Sequence, residues 1–186
     1  MSKCPWAQAH PLEEHYHDTE WGVPVHNERL LFEMLILEGA QAGLSWLTVL
    51  KKREGYRRAF ADFDAHKIAC FSEADQEILR HNPDIIRNKL KIKAAISNAQ
   101  AFLAIQAQFG SFDHYIWQFV GGETVNNAWQ TMQDVPTRTP ESDLMSKTLK
   151  KAGFKFVGTT ICYAYMQAVG MVNDHLLSCP YYELKG

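Results

Sequence analysis

Glu38 is the residue whose position asks most of the chain. It falls seven residues after Leu31 and four after Met34, on the apolar stripe of a helix that Asn27 can cap and that continues through Leu35 toward Ala42. A carboxylate on such a stripe is costly to bury without partners. The plain alternative is a helix end, with Gly39 just beyond, where the side chain reaches solvent. The next residues, Gly39-Ala40-Gln41-Ala42-Gly43-Leu44-Ser45-Trp46, form a small-residue turn ending in an aromatic. Its two glycines let the backbone approach another molecule closely, and Leu44 supplies an apolar tip. An acid, a flexible turn, an apolar tip and Trp46 together suggest a binding cleft. Trp6, Tyr16 and Trp21 add three aromatics from an N-terminal stretch with little periodic structure. Such residues either cover a core or stack on a ligand. If they converge on Glu38, they make an aromatic box with one acid. That chemistry suits a flat cationic heterocycle, through stacking, cation–π attraction and charge-assisted hydrogen bonding.

A second constellation is metal-like. Twelve residues separate Cys4 from His17, and three separate His175 from Cys179. The shorter spacing suits two ligands from one helix end, and two Cys with two His suit tetrahedral zinc. Eight His and four Cys make a chance His-x3-Cys pair common enough that this spacing alone does not decide the matter. Cys162 lies inside an apolar helix and reads as core; Cys70 has no ligand neighbour. A third feature is the hairpin Gly153-Phe154-Lys155-Phe156-Val157-Gly158-Thr159-Thr160. It opens into a helix whose first backbone N–H groups are free for an anion such as phosphate. A plain helix-turn-helix packing unit is the competing reading.

The elements that must position these residues are helical. Ser45 can cap a helix carrying Trp46, Val49 and Leu50, with Phe60 on the same side. Ser72 with Asp75 forms a capping box. A helix from about Lys89 to Phe109 carries Ile92, Ile96, Ala99 and Leu103, and Ser111 opens a short one. Thr139-Pro140 is a capped start with Pro at the first helical position; that helix stops near Gly153, and the last long helix runs from about Thr159 to Gly170. Alternating patterns are scarce, so the predicted class is all-α. The region 121–142, with Gly121-Gly122, Pro136 and Pro140, reads as a connection and not a domain boundary.

With 186 residues, 46% apolar and 22% charged, the chain has the make-up of one globular domain spanning 1–186, which excludes disorder, collagen and coiled-coil repeats. No stretch approaches the roughly 18 apolar residues of a membrane span, and the N-terminus lacks the apolar region of a signal peptide. A cytoplasmic protein with reduced thiols or metal-ligating cysteines is therefore expected. The net charge of −2 gives no hint of nucleic acid. Its distribution does: 13 of the 19 Lys and Arg fall in the 24 positions of segments 51–58, 87–93 and 147–155, beside one acid, Glu54. These runs are either solvated helix faces or parts of a patch for a phosphate backbone.

The chain resembles a known family. Tyr16-His17-Asp18-Thr19-Glu20-Trp21-Gly22-Val23-Pro24, Leu37 through Trp46, Phe154 through Tyr163, and Val172-Asn173-Asp174-His175 look like the type I 3-methyladenine DNA glycosylases, in the same order over nearly the whole chain. The resemblance implies a helix-hairpin-helix glycosylase fold of two helical lobes, with the helix-hairpin-helix element at about 140–170. It implies a structural zinc ion on Cys4, His17, His175 and Cys179, joining the N- and C-terminal regions. It also implies a base pocket on Glu38, Tyr16 and Trp46, with Trp6 and Trp21. The partner would be double-stranded DNA containing an alkylated adenine, contacted by Leu44, Lys150, Lys151, Lys155 and Gly158, with no obligate protein partner and a monomeric state. Two departures stand out. The hairpin keeps only the last glycine, Gly158, of the superfamily's Leu-Pro-Gly-x-Gly, which implies a differently shaped phosphate grip. Asp174 lies near where the superfamily's catalytic acid falls, yet the type I family is understood to manage without it.

Alkylation at N3 of adenine leaves a cationic base that is already a good leaving group. Such an enzyme must extrude the base, hold it and exclude ordinary adenine. Glu38 would accept a hydrogen bond from the exocyclic amine and favour the positive charge, and Leu44 could fill the gap in the duplex. No lysine stands out as a Schiff-base nucleophile, so hydrolysis without strand cleavage is expected. Two other classes compete. A DNA-binding module without catalysis needs neither a buried acid nor an aromatic box. A zinc hydrolase needs an open coordination position, which two Cys and two His would close.

Overall fold

The computed structural model describes residues 2–185. Among them are nine α-helices: α1 (Pro11–Thr19), α2 (Glu28–Ala40), α3 (Trp46–Ala59), α4 (Ala65–Ala69), α5 (Glu73–His81), α6 (Lys89–Phe109), α7 (Phe112–Trp117), α8 (Pro140–Lys151) and α9 (Thr159–Ala168). Most begin where a short polar side chain closes the first turn. Asn27, Ser45, Asn88, Ser111 and Thr139 each accept from a backbone N–H three residues on. Ser72 and Asp75 form the reciprocal capping box. The helical class is as the periodicity predicts.

α2 is the axis of the molecule, with every residue from Leu31 to Ala40 buried. On one side it packs against α6 and α7, and through them against α4 and α5; on another it packs against α9, whose neighbour is α8. Buried apolar side chains from both groups join in one continuous core. The C-terminal segment returns to the end of α1: Lys185 donates to the carbonyls of His17 and Trp21 at 2.7 and 3.0 Å.

Four features depart from the sequence reading. The stretch holding Tyr16 is not irregular but is α1, started by Pro11 and capped by His10, whose Nδ1 accepts from the Leu12 N–H. Only Leu12 and Tyr16 mark its apolar side, too few for periodicity to register. α2 ends at Ala40, so Ala42 lies beyond the stripe, and α9 ends at Ala168. Gly170 then turns with φ +72°, where a Cβ would meet the Val23–Pro24 backbone at 2.4 Å. Within the 121–142 connection, β1 (Val125–Asn126) pairs in parallel with β2 (Val172–Asn173), Val125 opposite Val172.

The basic run at 51–58 is largely neutralised within the fold. Arg53 is buried and bonded to Glu33 at 2.7 Å and to Glu20 at 2.8 Å. Arg57 pairs with Glu33 and Glu54, Arg58 with Asp84, and Lys52 donates to the Pro83 carbonyl. This segment braces α1, α2 and α3, and of the expected phosphate patch it leaves Lys51 as the cation without an internal partner among the described residues.

Candidate base pocket and metal cluster

A cavity of about 200 Å³ opens between the N-terminal region, the end of α2, the start of α3 and α9. That is below the ~300–1,000 Å³ of pockets for drug-sized ligands and is the scale of a single heterocycle. All five residues of the expected box line it: Trp6, Tyr16, Trp21, Glu38 and Trp46. α1 projects Tyr16, the last turn of α2 projects Glu38, and the first residue of α3 is Trp46. The rings form a continuous chain of contacts, with centroids 5.3 Å apart for Tyr16–Trp46, 6.5 Å for Trp6–Tyr16 and 5.0 Å for Trp6–Trp21.

Glu38 is 4% exposed, so the helix-end alternative fails. Its Oε2, the Tyr16 hydroxyl and the Trp46 Nε1 are buried without a hydrogen-bond partner. Three polar atoms without a protein partner line one aromatic cavity, where a polar, flat ligand can bond them. Burial pushes the Glu38 carboxyl up to about 8. It pushes the Tyr16 phenol up as well, with the Glu38 charge adding to the effect, so Tyr16 is a neutral donor at any physiological pH. A cationic ligand beside Glu38 would reverse its shift and favour the carboxylate.

The remaining lining residues were not singled out as site residues in the sequence. Gln41 lies in the turn after α2. Met132 and Val135 come from the 121–142 connection, and Ala164 and Gln167 from α9. Position 41 sits inside the small-residue turn that follows Glu38; no local pattern marks the others. Asp174 also reaches the cavity.

Trp21 joins this cavity to the metal-like cluster: its ring lies 4.6 Å from that of His175 and 5.8 Å from that of His17. Donor atoms of Cys4, His17 and Cys179 all lie within 4.8 Å of one another, with Cys179 Sγ 3.6 Å from His17 Nε2. Ligands of one tetrahedral zinc stand about 3.3–3.8 Å apart, given metal bonds of 2.0–2.3 Å. His175 is outside that closest trio, but its ring is 4.8 Å from that of His17 and its buried Nε2 has no partner. Its Nδ1 is bonded to Asn173 Oδ1 at 2.9 Å, and His17 Nδ1 to Asp18 Oδ1 at 2.9 Å. Each hydrogen bond leaves Nε2 as the free lone pair, the arrangement of a metal-ligating imidazole with an outer partner. Burial lowers His175 to about 3, so it is neutral, as a ligand must be. Gly22 is required here: its φ is +78° and a Cβ would stand 2.8 Å from His175 Cε1. Cys4, His17 and Cys179 are placed where they could hold a metal ion, and the donor types suit zinc, with the His175 ring alongside.

The α8–α9 hairpin lies against the end of α2, where a Cβ on Gly39 would sit 3.3 Å from Phe156 Cβ. The buried side chain of Asn98 grips the hairpin backbone, accepting from Lys155 N and donating to Lys155 O at 2.8 and 3.0 Å. That leaves the Lys155 side chain exposed, as are Lys150, Lys151 and Leu44. Gly158 stands at the N-terminus of α9, which carries no side-chain cap. Lys91, from the second basic segment, is not free: it donates to the carbonyls of Ala40 and Ala42 at 2.8 and 2.7 Å and holds the Gly39–Ser45 turn.

Fold and cavity together define a helical protein with a one-heterocycle aromatic pocket, a buried acid in it and a cysteine–histidine cluster behind it. The comparisons narrow this class. Residues 6–182 match the methyladenine glycosylase family. The chain is 50% identical to DNA-3-methyladenine glycosylase 1 of Escherichia coli, over 96% of both chains. It is 46% identical to DNA-3-methyladenine glycosylase of Haemophilus influenzae, over 96% of this chain and 97% of the relative. A crystal structure of 3-methyladenine DNA glycosylase I superposes with a TM-score of 0.94 at 52% identity, covering 96% of this chain and 98% of the other. The 3-methyladenine DNA glycosylase I of Staphylococcus aureus, solved for the structural basis of its 3-methyladenine recognition, gives 0.93 at 36% identity over 95% and 94%. The chain belongs to the methyladenine glycosylase family, type I, and is an enzyme of that class.

Proposed function

We propose that this enzyme hydrolyses the N-glycosidic bond of 3-methyladenine in double-stranded DNA, drawing the damaged base out of the stack into the cavity and leaving the strand uncut. The observation that carries this reading is Glu38, a buried carboxyl with an unpartnered oxygen inside an aromatic cavity of one-base size. Recognition of 3-methyladenine by the S. aureus relative points the same way.

Glu38 accepts from the exocyclic amine of the extruded base and, as a carboxylate, offsets its positive charge. Tyr16 and Trp46 offer a hydroxyl and an indole N–H to acceptor atoms of the ligand, and their rings, with Trp6 and Trp21, supply stacking and cation–π attraction of roughly 0.5–2 kcal/mol per contact. Ordinary adenine is neutral, so it gains least from Glu38 and is the poorer leaving group. Water then attacks the oxocarbenium-like sugar. No lysine is among the residues lining the cavity, which supports hydrolysis without a Schiff base.

Leu44, at the exposed tip of the turn that Lys91 holds, fills the space the nucleotide vacates. Lys150, Lys151 and Lys155, with the uncapped start of α9 at Gly158, grip backbone phosphates, so that α8 and α9 serve as the helix-hairpin-helix element. Cys4, His17, His175 and Cys179 hold a structural zinc that ties the two ends of the chain behind Trp21. The enzyme acts as a monomer in the cytoplasm, on DNA; among the described residues no helix is long and apolar enough to cross a membrane. Incubation with methylated duplex DNA and chromatography of the released bases tests the reading: 3-methyladenine should appear with an intact strand, and no released base would overturn it.

A further inference from the structure

Two carboxylates reach the cavity, and they are opposite in kind. Glu38 has an oxygen with no partner. Asp174, 1% exposed, accepts four hydrogen bonds: from Asn127 Nδ2 and Trp129 Nε1 on Oδ1, both at 2.8 Å, and from the Tyr163 hydroxyl and Gln167 Nε2 on Oδ2, at 2.6 and 2.8 Å. A carboxylate has about four acceptor positions, and here each is filled. No position is left to take a proton from an attacking water. The donors come from two places: Tyr163 and Gln167 stand one turn apart on α9, while Asn127 and Trp129 belong to the connection that follows β1.

That connection carries Met132 and Val135 into the cavity. Among the described residues, its backbone is bonded to the rest of the fold at its start, by Val125 N to Met171 O, Asn127 N to Asn173 O and Leu177 N to Trp129 O. Among the described residues, the hydrogen bonds of 130–137 are local, a turn in which Asp134 accepts from Thr131 N and Oγ1. Met132 and Val135 also pack against the core, but the polar anchor of this wall lies at 125–129, and its side-chain part is the Asp174 clasp.

We propose that Asp174 is a positioning residue: it clasps the 125–135 segment to α9 and so builds one wall of the base cavity. The proposal rests on the reading of the cavity as a base pocket, but the clasp itself is observable in the free protein. The test compares the parent with Asp174→Asn and with the double variant Asn127→Ala/Trp129→Phe, which keeps the carboxylate and its α9 donors and removes only the donors of the connection. Backbone hydrogen exchange over 125–135 should rise about ten-fold or more in both variants, the scale of one lost charge-assisted bond. Affinity for free 3-methyladenine should fall in both. In the double variant KM for methylated duplex should rise more than kcat falls, and the pH profile of kcat should keep the parent's shape.

Parent-like exchange and base affinity in the double variant would overturn the clasp. So would a double variant with parent kcat and KM beside an Asp174→Asn protein that binds the base normally but does not turn over, the pattern of a general base. If Asp174→Asn does not fold, the double variant decides alone. If the parent itself binds and releases no 3-methyladenine, the base-pocket reading fails, and hydrogen exchange still decides the clasp.

Discussion

The base cavity and the cysteine–histidine cluster are neighbours across Trp21, and both are built by leaving buried polar atoms without partners. In the cluster it is His175 Nε2; in the cavity it is Glu38 Oε2, the Tyr16 hydroxyl and Trp46 Nε1. What separates them is the space the orphaned atoms face. The cluster's closest donors lie within 4.8 Å of one another, the room of a single ion. The cavity offers about 200 Å³ between aromatic rings with one acid. The same local cost of burying an unsatisfied group marks both sites; on the proposed reading one takes a small dication held permanently and the other a flat heterocycle held briefly. Trp21 is the wall the two share, so on that reading the permanent site supports the transient one.

The largest expected effect comes from breaking the permanent site. Cys4→Ala or Cys179→Ala should release zinc and lower Tm by on the order of ten degrees, while the protein that remains folded still excises the base. Gly22→Ala should do the same through His175, because its Cβ has no room and its φ no freedom. Elemental analysis alongside calorimetry checks both, and fully folded parent without zinc would remove one half of the comparison.

Next is the acid of the transient site. Glu38→Gln should weaken binding and excision of 3-methyladenine by about ten- to a hundred-fold, the loss of one hydrogen bond to a charged group. Its stability should move the other way. The folded-state pKa of about 8 lies above the ordinary 4.5, so the native protein holds a proton that the unfolded chain has released. Glu38 therefore favours folding least at high pH: stability should decline as pH rises from 4.5 toward 8 and level off above it, by up to a few kcal/mol. Glu38→Gln removes that slope. Thermal melts from pH 5 to 9 should show the variant gaining on the parent, and parallel curves would mean Glu38 is not held in its neutral form.

A smaller change sharpens the aromatic side. Trp46→Ala should reduce base affinity about three- to ten-fold, given roughly 0.5–1.5 kcal/mol for a stacked pair beyond its buried area. Titration with free 3-methyladenine measures it, and an undiminished affinity would take Trp46 out of the pocket. The smallest expected change in excised product, though a large one in salt response, concerns the DNA face. Replacing Lys150, Lys151 and Lys155 with Ala should flatten the slope of log affinity against log salt by up to about 2.7, at ~0.9 per phosphate contact, without altering which base is removed. The internally paired Lys52 and Arg58 should leave that slope unchanged when replaced by Ala. A slope that responds only to the second set would move the phosphate contacts to α3.

The amino-acid order alone determined the helices that begin at Asn27, Ser45, Ser72, Ser111 and Thr139, because a cap and its N–H lie within one turn and need nothing from the rest of the chain. It also marked Glu38 as anomalous and set out the four Cys and His, since residue type and spacing carry that chemistry directly. α1 escaped because its two apolar residues are too few to show a period. Which cations are free was decided by the tertiary structure: Arg53 is matched by Glu20, just past α1, and by Glu33 of α2, and Lys91 by carbonyls about fifty residues away. So were the wall carrying Met132 and Val135 and the four donors on Asp174, drawn from residues 127–129 and 163–167. Such partnerships join groups far apart in the chain, and their energies depend on burial and on distances of a few tenths of an ångström. Those quantities exist only once packing has brought the helices together.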